Sequence, residues 1–397
     1  MKCKIGVAYP FGCQNLVKPS NGAEYKVSLL AKFLKEEKFA DVRFLSINRC
    51  EFKKQDENIT YHDAPYPTVG WVKSLDFLIR RILYRKPIEL DFSLWAMYKL
   101  PSYDSKVIAE FEELAKWADI VLFECVHFAP MGIPILQKHG KKSIVIIHDV
   151  VFELFQPKYK WITKIVSKIE IDAVQQADHI ISLTEHDAKR FQQLGVKKPM
   201  TVLPLPTEKP VIQRDAVKSV QEKYQIDEKS LMFIGGYNHN VHAAEKIMDI
   251  IAPKLPEYKF YILGSVCNAK EIVQREAKNV IKVGRVSDDE KHAFYELCTF
   301  CLVPVFGVPG GFSTKLVEAL SYGMVILTTA LGARGVTFEH DKHGVVCDDF
   351  ESYPERIRSL NDSQKQAYSQ AALELSEKYN YKTVYRDYLP IIESLLK

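Results

Sequence analysis

At 397 residues the chain exceeds the usual size of a single hydrophobic core, so two domains of roughly 150–200 residues are expected. A composition of 47% hydrophobic and 26% charged residues excludes a disordered protein, and a formal charge of +4 suits an anionic small ligand without announcing a nucleic-acid partner. No apolar run of about 18 residues is present to span a membrane, and the opening MKCKIGVAYPFG reads as a strand entering a turn, so a cytoplasmic location is expected.

Short β-rich runs alternate with helical patterns almost throughout, the signature of parallel sheets built from βαβ units. In the first half the predicted strands are KIGVAYP, DVRFLSI, DIVLFEC, SIVIIHD, HIISLT and MTVLPL. A helix is predicted at 23–37, with Val27, Leu30, Ala31 and Leu34 on one face. Residues 71–86 place apolar side chains at 72, 75, 78, 79, 82 and 83 with basic residues opposite. Such a helix covers its own domain's core or lies on an anionic membrane surface, the basis for a peripheral membrane contact. The segment PLPTEKP at 204–210 has little capacity for regular structure and reads as a linker. A surface helix follows at 213–229, and then six more strands: LMFIGG, KFYILGS, VIKVG, FCLVPV, MVILTT and GVVCDD. Residues 1–207 and 208–377 are therefore predicted as two doubly wound α/β domains facing a cleft, and 378–397 as a terminal helix. The eight cysteines are scattered, and the C-x-x-C of Cys298 and Cys301 lies in an apolar run that reads as core packing.

Ligands of doubly wound sheets bind at the carboxyl ends of the strands. The richest such place follows FCLVPV, where glycines 307, 310 and 311 allow a tight loop before Phe312, Ser313, Thr314 and Lys315. Ser313 or Thr314 can cap the helix that opens there, and Gly323 closes it. A helix amino terminus after a glycine-rich loop presents free N–H groups, which suits a diphosphate, and Lys315 adds a full charge. Glu318 lies one turn on, on the same side, where a carboxylate accepts hydrogen bonds from a vicinal diol such as a ribose. The alternative is a capped surface helix carrying a Lys–Glu pair. In the first half, Glu124, His127, His148 and Asp149 cluster at strand ends. They suit contact with an acceptor hydroxyl, or equally a packed histidine and an Asp-capped turn. Glu24 opens the first helix, where it is also a favourable charge at an amino terminus.

The segment GGFSTKLVEALSYGMVILTTALGARGV resembles the donor-binding signature of retaining glycosyltransferases of the GT-B fold, glycosyltransferase family 4 in particular. Matches in family order are Pro19–Glu24, Asp119–His127, Ile146–Asp149, Ala177–Glu185, Phe233–Val241 and Val283–Val286. The resemblance implies a UDP- or GDP-linked sugar as donor substrate, a glycan or lipid-linked acceptor, retention of configuration and no required metal or other cofactor. It implies diphosphate contacts for Lys315, Ser313 and Thr314, close approach of Gly12 to the same phosphates, ribose contact for Glu318, and a cleft role for His127. Val286 falls in the loop beside the base. Two departures stand out. Gly310 occupies the position eight before Glu318 where the family usually has a second glutamate. Gly236-Tyr-Asn-His-Asn replaces an arginine-bearing loop, leaving Arg285 or His239 to supply charge. A non-catalytic partner protein, a GT-B phosphorylase or a sugar-nucleotide epimerase would share this architecture. A nicotinamide dehydrogenase is disfavoured, because no G-x-G-x-x-G follows the first strand.

Overall fold

The computed structural model describes residues 2–17, 19, 22–48, 50–66, 98–154, 160–209, 214–236, 240–306 and 312–397. The basic helix expected at 71–86, His239, Gly310 and Gly311 lie outside the described residues.

The chain forms two compact units, one built from Met1–Pro206, Phe312 and Tyr381–Lys397, the other from Thr207–Pro309 and Ser313–Asn380. Each is a Rossmann-like parallel sheet with helices on its faces. In the first unit the strands are β1 (Cys3–Ala8), β2 (Ala40–Asn48), β3 (Phe52–Asp56), β4 (Ile59–Pro65), β5 (Ile120–Glu124), β6 (Lys142–Ile147), β7 (His179–Ser182) and β8 (Met200–Val202). Their spatial order is β3-β4-β2-β1-β5-β6-β7-β8, and only β3 runs antiparallel, to β4. The sheet thus has two strands beyond the six expected. FKKQD is almost entirely polar, as an edge strand can be, and ITYHDAP beside it mixes polar with apolar residues, so neither forms a continuous apolar run. Central β5, by contrast, is buried at every residue, which is why its apolar run was readable.

Helix α1 (Gly22–Glu37) packs Val27, Leu30, Ala31 and Leu34 into the core against β1 and β2. Helix α2 (Lys160–Gln176) covers the other face through Val166, Ala173 and Val174. Register sets the functional edge. Ala8 of β1 pairs with Phe123 of β5, and Glu124 pairs with Ile146 of β6, so Tyr9, Glu124 and His148 all emerge at the carboxyl edge.

The second sheet comprises β9 (Ser230–Ile234), β10 (Lys259–Leu263), β11 (Val280–Gly284), β12 (Phe300–Val303), β13 (Val325–Thr328) and β14 (Gly344–Val346), ordered β11-β10-β9-β12-β13-β14 and wholly parallel. All six predicted strands are present. The order reverses beside β9, which adjoins both β10 and β12, so the loops after β9 and β12 form the switch point where such sheets bind ligands. The predicted surface helix is shorter than expected, spanning Arg214–Tyr224. Gly264, at φ +95°, permits close passage of the β9 loop, since a Cβ there would lie 2.3 Å from the Gly235 carbonyl oxygen. Two further helices of the second unit matter below, α3 (Asp288–Leu297) and α4 (Thr314–Ser321). Cys298 and Cys301 are free, buried thiols, the latter in β12.

The carboxyl-terminal segment is not one helix. It breaks at Asp387 into α5 (Tyr381–Arg386) and α6 (Tyr388–Leu396), both in the first unit. Tyr381 donates to Glu36 at 2.8 Å and Tyr385 to the Lys26 carbonyl at 2.7 Å, fastening α5 to α1.

Candidate functional site

At the first sheet's edge, α1 and two strand ends bring three ionisable groups into one enclosed cluster. Lys26 Nζ lies 2.7 Å from Glu124 Oε2 and 3.1 Å from His148 Nε2, and that ring nitrogen lies 2.9 Å from the same carboxylate oxygen. The side chains of Lys26 and Glu124 have no solvent exposure, whereas His148 retains a little. Burial alone raises the Glu124 carboxyl, but Lys26 and then His148 outweigh it and hold the group at about 2. His148 is driven below its ordinary value by burial and by Lys26, so its ring is neutral at pH 7. Glu124, expected to meet an acceptor hydroxyl, is completely buried here, with Oε2 against Lys26 and His148 and Oε1 without a hydrogen-bond partner.

Cys125, left-handed at φ 70°, turns the chain between Glu124 and His127. A non-glycine residue in that region costs about 1–3 kcal/mol, so the surrounding packing must enforce the turn. His127 is buried, edge-on to Phe11 at 5.4 Å and Tyr98 at 5.5 Å, and its Nδ1 has no hydrogen-bond partner. Burial pushes its imidazole down to about 4, so it too is neutral at pH 7. Behind it, Tyr98 donates to Glu170 on α2 at 3.2 Å, and the Val151 N–H donates to the other Glu170 oxygen. Burial raises the Glu170 carboxyl to about 8. Glu24 is buried in the first turn of α1, and half-buried Asp149 follows His148. Gly12 adopts φ +89° and its N–H donates to Ser46 Oγ at 3.0 Å, while the Cys13 and Gln14 N–H groups donate to Asp63. The donors of this turn are therefore satisfied internally. A cavity of about 480 Å³ in this unit lies elsewhere, along the β3–β4 hairpin beside Arg43, Lys53 and His62, and none of the expected site residues lines it.

In the second unit the expected residues converge on α4. Ser313 occupies the N-cap position, one of the two expected there, but makes no side-chain capping bond, so the first-turn N–H groups are not taken up by its hydroxyl. Gly323, at φ +63°, closes the helix as predicted. Half-buried Lys315 extends to the Asn240 side-chain oxygen and places its ammonium 5.4 Å from the Phe233 ring centroid. Burial pushes this ammonium down to about 8, against the opposing influence of nearby Cys301 and Glu318.

Glu318 is not paired with Lys315 by a hydrogen bond, as the simple surface-helix reading would require. Its Oε1 accepts from Lys291 at 3.1 Å and its Oε2 from the Tyr295 hydroxyl at 3.0 Å, both from α3. Tyr295 stacks on Tyr322 with centroids 5.3 Å apart, and Tyr322 shares a 2.7 Å hydrogen bond with His292 Nδ1. Arg285 and Gly236 are exposed, Val286, Phe312 and Thr314 half-buried, and Asn240 donates to the Gly236 carbonyl at 3.1 Å. Sequence reasoning missed Asn240, Lys291 and Tyr295. The i, i+4 spacing of Lys291 and Tyr295 marks a shared helix face, but nothing in it names Glu318 as the partner. Among the described residues, no three His, Cys, Asp or Glu side chains group as metal ligands.

Residues 228–363 match the family model for glycosyl transferases group 1, and residues 131–205 match that for the amino-terminal domain of glucosyltransferase 3-like proteins. No curated protein matches the chain in sequence. Among solved structures, the chain is similar to sucrose-phosphate synthase from Thermosynechococcus elongatus, with a TM-score of 0.70 at 13% identity over 99% of each chain. It is also similar to Anabaena HepE in complex with UDP-glucose, with a TM-score of 0.68 at 12% identity over 98% of this chain and 99% of that one. A third is the α,α-trehalose 6-phosphate synthase of Burkholderia multivorans, with a TM-score of 0.66 at 12% identity over 100% of this chain and 97% of that one. At these identities the likeness establishes the fold, two Rossmann-like parallel sheets of the GT-B type.

Proposed function

We propose that the protein is a retaining glycosyltransferase that moves a sugar from a UDP- or GDP-linked donor to a hydroxyl acceptor on a glycan or lipid-linked molecule. The observation that carries this reading is the arrangement on α4: Lys315 in the first turn at a switch-point edge, with Glu318 held by two donors one turn on. The glycosyl transferases group 1 match over the same segment supports it, as does the UDP-glucose bound by HepE.

In this reading the donor diphosphate lies at the amino end of α4. As the glycosidic bond to the diphosphate breaks, negative charge grows on the leaving phosphate. Lys315 and the first-turn N–H groups stabilise that charge, being oriented before the reaction begins. Glu318 accepts from the ribose hydroxyls. His127, neutral and packed on Phe11 and Tyr98 with its Nδ1 enclosed, contributes ring packing beside the sugar, while Glu124 positions His148. Gly12 serves the turn through its positive φ rather than by donating its N–H, which Ser46 already takes.

The deciding experiment measures binding and slow hydrolysis of a panel of UDP- and GDP-sugars by the wild type, Glu318→Ala and Lys315→Ala. One donor should bind saturably and be hydrolysed, and both variants should lose at least about tenfold in affinity. No donor binding by the wild type, or binding indifferent to both substitutions, would sink the assignment. Gly310, which removes the first family glutamate, motivates the alternative of a non-catalytic partner. Donor binding without hydrolysis, or without transfer to any acceptor of a broad panel, would select that alternative.

A further inference from the structure

We infer that Tyr295 and Lys291 are positioning residues that tune Glu318 for a vicinal diol and so set the protein's preference for ribonucleotide over deoxyribonucleotide diphosphates. The inference rests on the proposed donor site, but no comparison assigns either residue a role. A glutamate side chain on an exposed helix face samples several rotamers, and a weak ligand contact must then bear the cost of ordering it. Here each Glu318 oxygen is already held by a separate donor, Oε1 by Lys291 and Oε2 by Tyr295. The two donors come from one face of α3, one turn apart, so they fix the carboxylate's plane as well as its position. A carboxylate has about four lone-pair sites, and two are used here. One remains on each oxygen, the number that two adjacent ribose hydroxyls require.

The support beneath is rigid. Tyr295 is buried, its ring lies nearly parallel to that of Tyr322 at 14°, and Tyr322 is tied to His292. The Glu318 side chain keeps about a fifth of its surface exposed, at 20%, as does the Lys291 side chain at 21%. It is thus restrained from one side and reachable from another.

The test measures dissociation constants for UDP and GDP and for their 2′,3′-dideoxy counterparts with wild type, Tyr295→Phe, Lys291→Met and Lys291→Arg. Phenylalanine preserves the stack on Tyr322 while removing the hydroxyl. Wild type should prefer the ribonucleotide by about tenfold or more. Tyr295→Phe and Lys291→Met should each lower ribonucleotide affinity about three- to tenfold while leaving the dideoxy compound within about twofold, so that the preference collapses. Lys291→Arg should restore most of it. A variant that weakens both nucleotides equally, or leaves the preference intact, would overturn this inference and leave the donor site standing. Absence of nucleotide binding by the wild type would overturn the donor site and this inference together.

Discussion

Both sheets end in an edge where a lysine meets a glutamate, yet the two pairs are built for different ends. At the first edge Lys26 and Glu124 are wholly enclosed at 2.7 Å and share His148, with Glu124 Oε1 left without a partner and out of reach of solvent. At the second edge Lys291 and Glu318 meet at 3.1 Å with part of each side chain in solvent, and Tyr295 completes the support. An enclosed pair faces a desolvation penalty comparable with its attraction, so it is a sensitive structural joint more than a source of net stability. A half-open pair keeps its remaining lone pairs within reach of solvent. Burial therefore distinguishes two otherwise similar pairs, one closed to solvent and one open to it.

The sharpest way to break this comparison is to remove one partner of the enclosed pair. Lys26→Met strands the Glu124 charge in the core and should destabilise the protein by about 3–5 kcal/mol, read from chemical unfolding. Restoring neutrality with Lys26→Met/Glu124→Gln should recover part of the loss. The pH dependence has a fixed sign. Because the folded Glu124 carboxyl is depressed to about 2 from an ordinary 4.5, its contribution is full above the ordinary value and fades as pH falls toward 2. Nucleotide affinity of the folded fraction should be unchanged, since none of these groups belongs to the second unit. Equal stability of wild type and Lys26→Met would show that the joint is not structural.

The matching change in the half-open pair should have the opposite profile. Glu318→Gln keeps the side chain's size and one acceptor oxygen but removes the charge that strengthens its hydrogen bonds. Nucleotide affinity should fall about tenfold while unfolding free energy changes by only about 1 kcal/mol. Calorimetric titration alongside a denaturant curve separates the two readouts. A large stability loss with unaltered binding would make Glu318 a structural residue and erase the contrast.

How far these edges could be read from sequence follows from where their partners lie. The second sheet was legible because β9, β10, β12 and β13 are apolar runs ending at glycine, proline or threonine, and α4 was bounded by Ser313 and Gly323. Hairpin β3–β4 was not, because an exposed edge strand such as FKKQD has no apolar face to announce it. Lys315 and Glu318 stood out because loop, helix start and charge fall together within a dozen residues. Their true partners did not. Asn240 precedes Lys315 by 75 positions, and Lys291 precedes Glu318 by 27. Lys26 was the most deceptive. In the pattern of α1 it reads as one more solvated charge, and only β5 and β6, about a hundred residues away, convert it to a buried cation. Local sequence reports helix ends and apolar faces, whereas side-chain pairing is set by topology.

The smallest predicted effect concerns Lys315 and sharpens the contrast through protons. Burial pushes its ammonium down to about 8 before any ligand binds, so the group is about half charged at pH 8 and roughly nine-tenths charged at pH 7. Between 8 and its ordinary value of 10.5 the unfolded chain binds more protons than the folded one, so this lysine makes stability rise with pH across that window. A diphosphate beside the ammonium favours the charged form and raises the group again. Binding should therefore take up about half a proton at pH 8 and only about a tenth at pH 7, with affinity weakening as pH climbs above 8. Calorimetry in buffers of different ionisation enthalpy measures this uptake directly. Lys315→Arg stays protonated throughout, so the uptake should vanish and the pH dependence flatten. Proton uptake that persists in the arginine variant would trace to another group at the second edge, with His292 the first to test because burial and Lys291 hold its ring below the usual histidine range.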